Sequence, residues 1–330
     1  MVLRKKRVVI CGFGDIGIMV AQHLAAHDDI EIVAVTPKPC HHSGQELGGR
    51  LTQPAMWQEL YFLSFSAYTG LDKVRIIQGY VTHVDAERRV VTIQRATKHN
   101  TDAETSAEED DNNNNNNNTP TLVCDYDALL ISSGCTNGFW RKPDNYDRAT
   151  LRRQIEEDHQ RVVSAPTVVV VGGGVSGVSA AYAVKQRYPN KSVHLFFSRE
   201  RVLPSYNMRI QHSITRRLNC CGVTLHAKHR AVIPAGAGAQ LTTAESIQWS
   251  TGQPDFTGPA DGRMLVIWAT GQVHPNNSFI PHHMLTERGF VRVDPCLRVV
   301  SDIAPDSTSS HSTSTSSSTR SGSSPNTDTR

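Results

Sequence analysis

The chain has 330 residues, with 34 Lys and Arg against 31 Asp and Glu, a net charge of +3 and 38% apolar residues. That length suits two domains, and so even a charge balance argues against a nucleic-acid partner. No apolar run reaches the roughly 20 residues of a membrane-spanning helix.

Seven cysteines, at positions 11, 40, 124, 135, 220, 221 and 296, are scattered with no C-x-x-C spacing. They read as free thiols in a reducing, intracellular compartment, and neither as a disulfide framework nor as a metal site. The run Arg4-Lys5-Lys6-Arg7 reads as a solvated terminus. The minority reading is attraction to a membrane surface, which leaves peripheral membrane association and a cytoplasmic or mitochondrial location open. The following apolar run, Val8–Cys11, is too short for a signal peptide.

Arg7–Cys11 reads as a strand, and Gly12-Phe-Gly14-Asp-Ile-Gly17 follows at G-x-G-x-x-G spacing. The first glycine permits a tight turn, the second lets backbone approach a pyrophosphate, and the third lets the next helix pack on the strand. The helix N-terminus holds the phosphates. Ile16, Val20, Ala21 and Leu24 are expected to form that helix's apolar stripe. Ile30–Val35 is the second strand. An acidic residue at its end would bind ribose hydroxyls, but the chain has Thr36, Pro37 and Lys38 there, and Glu31 at the strand's start is expected to face solvent. Residues 43–69 should hold one or two helices. Tyr80–Asp85 and Val90–Ile93 alternate as an antiparallel hairpin, and Tyr126–Ile131 supplies a buried strand ending in Ser132-Ser133-Gly134. Residues 97–120, with an acidic patch and the run Asn112–Asn118, and the Ser/Thr-rich residues 305–330 cannot bury enough apolar surface and read as disordered.

A polar helix is expected over Asp147–Val163. Val168–Val171 reads as a strand buried on both faces, and Gly172-Gly-Gly174-Val-Ser-Gly177 repeats the fingerprint. Ser192–Phe197 is the next strand, followed by Ser198-Arg199-Glu200-Arg201. A hydroxyl and two guanidinium forks suit a 2′-phosphate, so the reading leans to NADPH. Glu200 on a ribose would instead suit NADH, and a merely solvated charged turn is nearly as good a reading. A helix over 207–219 and strands at Gly222–His226 and Met264–Trp268 follow, the last running into Ala269-Thr270-Gly271. Phe290–Asp294 and Leu297–Val300 close the patterned part.

Two fingerprints 160 residues apart (Gly12 to Gly172), each followed by a strand ending in a small-residue–Gly turn, resemble the pyridine nucleotide–disulfide oxidoreductase superfamily. His41-His42 and the stretch Val168 to Pro189 resemble its branch of ferroptosis-suppressor and apoptosis-inducing-factor-like NAD(P)H–quinone oxidoreductases. The resemblance implies an α/β fold of two Rossmann-like dinucleotide-binding domains, the second inserted into the first, with an antiparallel β-meander. The expected bounds are 1–145 for an FAD domain, 146–275 for an NAD(P)H domain, 276–304 for an incomplete return to the first, and 305–330 for the tail.

By the same resemblance, Gly12, Gly14 and Gly17 hold the FAD pyrophosphate, with Thr36 and Lys38 at the ribose end. Val81 meets adenine through its backbone, and Gly134 lies near the isoalloxazine. Gly172, Gly174, Gly177, Ser198, Arg199 and Arg201 hold NADPH or NADH, and Gly271 closes that site. No catalytic side chain is assigned. The chain departs from the pattern at Thr36, at Ser179, where the branch carries a glutamate, and in lacking a C-terminal Gly-Asp motif. Two functions stand open: hydride transfer from NAD(P)H to FAD and on to a quinone-like small molecule, or a truncated relative that binds NAD(P)H as a sensor or interaction protein. The lack of a cysteine pair argues against the disulfide reductases, and the oligomeric state is left open.

Overall fold

The computed structural model describes residues 4–95, 121–141, 147–258, 263–271 and 273–300. The insert at 97–120 and the tail at 305–330, expected to be disordered, lie outside the described residues.

Apolar runs that alternate or stay continuous build two sheets. The first holds β1 (Lys6–Cys11), β2 (Ile30–Thr36), β3 (Val74–Asp85), β4 (Val90–Arg95), β5 (Thr121–Asp125) and β6 (Ala128–Ile131), in the order β5-β4-β3-β2-β1-β6. β1 lies parallel between β2, with Val9 opposite Val33, and β6, with Val9 opposite Leu129. β3 starts parallel to β2 over Val74–Gln78 and then turns antiparallel to β4, with a register shift between Val81 and His83. One long strand therefore joins the parallel sheet to the β-meander.

The second sheet holds β7 (Thr167–Val171), β8 (Ser192–Phe196), β9 (Thr224–His226), β10 (Thr242–Ala244) and β11 (Met264–Trp268), ordered β9-β8-β7-β11-β10. All neighbours are parallel except β10 on β11. Val168–Val171 are buried, as a continuous β-branched run between two covered faces requires.

After β11 the chain returns to the first sheet. His274–Pro275 pairs with Cys135–Thr136, Val84 donates to the Phe279 carbonyl at 3.1 Å, and Phe279 and Ile280 pack with Val9, Val33 and Ile77. The second unit is thus inserted into the first.

The described residues form the α-helices α1 (Asp15–Leu24), α2 (Leu47–Thr52), α3 (Pro54–Tyr61), α4 (Arg148–Ser164), α5 (Val175–Arg187) and α6 (Met208–Cys221). Asp147 and Asn207 cap α4 and α6 by accepting the backbone N–H of Thr150 and Ile210.

Two expectations need correction. In α1 the face on the sheet is Gly17, Ile18 and Ala21, while Ile16 is 57% exposed. Gly17 must touch the strand turn, and the residue before it is rotated about 100° away. Glu31 keeps 37% of its side chain exposed to solvent but is not a free carboxylate: it sits opposite Arg7 in register and accepts its Nε at 2.9 Å. Residues 285–300 form single bridges, Leu285 to Val291 and Val293 to Val299. The N-terminal basic run is also partly neutralised, with Arg4 and Arg7 paired to Asp125 and Arg4 also to Asp127.

Candidate functional site

Both sheets end in the same device. Gly12 has φ +97°, and a Cβ there would lie 2.4 Å from the Ser132 carbonyl oxygen; Gly17 abuts the Gly12 carbonyl just as closely. Gly172 has φ +130°, with a notional Cβ 2.0 Å from the Ala269 oxygen, and Gly177 presses on Gly172. These glycines are required by backbone approach alone. Gly14 and Gly174 differ. Each precedes its helix in an extended conformation, and a Cβ would meet nothing within 4 Å. The bare backbone there faces open space at a helix N-terminus, a cradle that fits a pyrophosphate.

The first cleft, about 300 Å³, is bounded by Gly12–Ile16, Thr36–Lys38, Ser132–Cys135 and the Trp140–Arg141 turn. It gathers Gly12, Gly14, Thr36, Lys38 and Gly134 of the expected ligands. Gly17 supports it from beneath, and Val81 lies outside its lining, in the hairpin over the meander core. Thr36 is buried and its hydroxyl accepts the Lys38 N–H at 3.2 Å. The second cleft, about 480 Å³, gathers Gly172, Gly174, Ser198, Arg199, Arg201 and Gly271, with Gly177 again beneath. Glu200 is not in its lining; its carboxylate takes Lys228 Nζ at 3.1 Å.

Polar side chains brace the first cleft and link its rim to α4. Lys38 Nζ reaches His42 Nδ1 at 3.1 Å, and Arg50 Nη1 reaches His42 Nε2 at 3.1 Å. Burial, aided by both cations, holds the His42 ring neutral, well below its ordinary pKa. A neutral ring accepts at one nitrogen only, so one of the two cations is left facing an N–H in either tautomer. Arg50 is buried and pairs with Asp158 of α4 at 3.1 Å. Asp15, at the first turn of α1, accepts His41 Nε2 at 2.9 Å and the Ser43 hydroxyl at 3.3 Å, while Tyr68 bonds His41 Nδ1. The His41 hydrogen bond leads in holding the Asp15 carboxyl below its usual range. That fixed anion beside the first cradle is anchored sideways by His41.

α2 also touches α5. A Cβ on Gly48 would sit 2.7 Å from Ala183 Cβ and 2.8 Å from Ser179 Oγ. The serine at 179 is therefore the counterpart of a glycine across a helix contact.

The loop Ser132–Gly134 is locked by the returning chain: Ser133 Oγ donates to Asn277 Oδ1 at 2.6 Å, and Asn276 Nδ2 donates to the Ser133 carbonyl at 3.2 Å. Asn276, Trp140, Arg141, His229 and Arg230 line the clefts without any sequence signal, because they come from turns far apart in the chain. The cysteines offer no redox pair. All seven are free, and burial pushes the Cys11 thiol up to about 12 and raises Cys40 and Cys124. Among the described residues no helix is long and apolar enough to cross a membrane.

A sequence model described as pyridine nucleotide-disulphide oxidoreductase matches residues 6–303. An oxidoreductase of Ajellomyces capsulatus is 24% identical over 237 residues, 70% of this chain and 45% of that protein. Ferroptosis suppressor protein 1 of Mus musculus is 26% identical over 216 residues, 64% of this chain and 50% of that one. The chain spans about half the length of the curated relatives it matches. An engineered water-forming NADPH oxidase, solved with NADPH bound, superposes with a TM-score of 0.57 at 18% identity, covering 83% of this chain and 55% of its own.

Proposed function

This chain belongs to the pyridine nucleotide-disulphide oxidoreductase family, and from that premise we propose that it carries hydride from NADPH to FAD and passes the electrons to a quinone-like small molecule. Residues 1–145 with 276–304 form the FAD domain in this reading, and 146–275 the NADPH domain. The observation that carries it is the pair of bare cradles, Gly14 and Gly174, each at the carboxyl end of a parallel sheet and each opening on a cleft. Ligands of such sheets bind there.

In this account the N-termini of α1 and α5 hold the two pyrophosphates, and the Asn276–Asn277 clamp fixes the loop beside the first. FAD, when bound, supplies the ring that accepts hydride and releases electrons. The chain's part is binding, orientation and electrostatics. The seven thiols are free and none stands at C-x-x-C spacing, whereas a planar acceptor reduced directly by the flavin needs no protein nucleophile.

NADPH is favoured over NADH because Ser198, Arg199 and Arg201 line the second cleft while Glu200 is held by Lys228. The NADPH oxidase named above carries substitutions that remove an aspartate and introduce two arginines and a serine, side chains of the kind found here at Ser198, Arg199 and Arg201. The test is reconstitution with FAD, followed by NADPH oxidation with a short-chain quinone as acceptor. Saturable FAD uptake with quinone-dependent NADPH consumption is expected. Protein that takes up NADPH and no FAD would leave only a pyridine nucleotide-binding protein.

A further inference from the structure

His229 stands in the turn after β9 and is the one histidine among the described residues that lines the second cleft. The turn is tied to the Ser198 loop. His229 N–H donates to the Phe197 carbonyl at 3.0 Å, and Lys228 N–H donates to the Arg199 carbonyl at 3.1 Å. Lys228 is held left-handed at φ +62°, a conformation that a residue with a side chain adopts only under constraint. The partly buried His229 ring meets Trp249 edge-on at 5.0 Å and Phe196 at 5.3 Å. Both belong to the second sheet's core cluster, so they back the ring and leave the cleft as its open side.

Hydrogen bonding fixes the tautomer of this ring. Nδ1 lies 2.7 Å from the Ala227 carbonyl oxygen. A carbonyl only accepts, so Nδ1 carries the proton, and in the neutral ring Nε2 is a bare acceptor. Nε2 has no partner among the described residues, and unlike the buried indole nitrogens of Trp140 and Trp249 it keeps accessible surface. The cleft therefore holds an oriented, unused acceptor on its wall. Ala231 and Ile233, which follow in the chain, add apolar surface to the same cleft.

Sheet order says which part of a dinucleotide would meet it. β7 carries the phosphate cradle, with β8 and then β9 on one side and β11 on the other. The adenosine ribose belongs at the end of β8, by Ser198. The base beyond it must extend toward the end of β9, where His229 stands, while the nicotinamide half runs over Ala269–Gly271. Adenine carries an exocyclic amino group, a hydrogen-bond donor.

We infer that His229 is a base-reading residue of the second cleft, its Nε2 accepting the adenine amino group of the dinucleotide. The inference rests on the proposal that this cleft takes NADPH. It assigns selectivity for the base to a turn outside both glycine fingerprints, separate from the 2′-phosphate contacts of Ser198, Arg199 and Arg201.

The test compares NADPH with its hypoxanthine analogue, in which a carbonyl oxygen replaces the amino group. In competition titrations at about pH 8, above the ordinary range of an imidazole, NADPH should bind more tightly. The expected preference is about tenfold, on the order of one hydrogen bond lost with an acceptor left facing an acceptor. His229→Phe keeps a ring against Trp249 and Phe196, deletes the acceptor and should bring the two nucleotides within about twofold of each other. Histidine 15N spectra of the unaltered protein read the same contact. One unprotonated ring nitrogen should move upfield on saturation with NADPH and much less with the analogue. Equal binding of the two nucleotides, a preference that survives in His229→Phe, or no nitrogen moved by NADPH overturns the role of His229 and leaves the NADPH cleft standing. Failure to bind NADPH at all overturns both.

Discussion

Gly174→Ala separates what a glycine does for the fold from what it does for a ligand. Gly174 sits at φ −79°, where alanine is at ease, and the added methyl would meet no atom within 4 Å. Stability should stay within about 1 kcal/mol of the parent, the scale of a residue change at a helix N-cap. The methyl instead stands where the pyrophosphate must come against the N-terminus of α5. Displacing the phosphates from two backbone N–H donors, each contributing about 1.5 kcal/mol to a charged acceptor, costs about 3 kcal/mol, or roughly 100-fold in affinity. The comparison is Gly172→Ala. There φ is +130° and the methyl would lie 2.0 Å from the Ala269 oxygen, so the fold itself should lose about 3 kcal/mol or more. Urea unfolding measures the first quantity, and quenching of intrinsic fluorescence by NADPH the second. A Gly174→Ala protein that binds NADPH within threefold of the parent would refute the assignment of this turn to the pyrophosphate. So would a loss of binding that merely tracks a loss of stability.

Replacing Arg199 and Arg201 together by Ala should weaken NADPH by tenfold or more, on the order of one charge-assisted pair, and leave NADH nearly unchanged; competition titrations with the two nucleotides decide it, and equal losses would contradict a 2′-phosphate role. Ser179→Glu should destabilise by about 2 kcal/mol, the cost of overpacking, because Gly48 of α2 already fills the space at Ser179 Oγ; an unfolding midpoint equal to the parent's would show that α2 yields freely. A pH effect is expected from His226, which stacks on Phe196 at 4.0 Å and lies 3.0 Å from His194. Burial, with smaller contributions from His194 and His229, brings its pKa from 6.5 down to about 4. Above pH 6.5 both folded and unfolded states hold it neutral. As the pH falls, the unfolded chain takes up the proton first, so stability is lost between 6.5 and 4. Solvent screening of a half-exposed ring limits the loss to about 1–2 kcal/mol. Urea titrations of the parent and His226→Phe at pH 7 and pH 4.5 test this, and an equal slope in both proteins would count against it.

The parts legible in the sequence were those governed by local periodicity. Val168–Val171 and both glycine turns need only neighbouring residues, and they stand where the pattern put them. Ile16 failed because hydrophobicity alone does not say which side of α1 faces the sheet; the close approach of Gly17 decides that. The pairing of Glu31 was missed because its partner, Arg7, is a neighbour only through strand register. The cleft residues that come from distant turns were invisible for the same reason. Asn276 reaches Ser133 across 143 positions, and Arg50 reaches Asp158 across 108. The role of position 179 became readable only once α2 was seen lying on α5.

The central claim is that the two cradles serve one reaction. Its most direct test is anaerobic mixing of FAD-loaded protein with one equivalent of NADPH, following flavin absorbance near about 450 nm. Loss of that absorbance, with one NADPH consumed per flavin, is the predicted result. A protein that retains no FAD after reconstitution, or whose absorbance NADPH leaves unchanged, would contradict it.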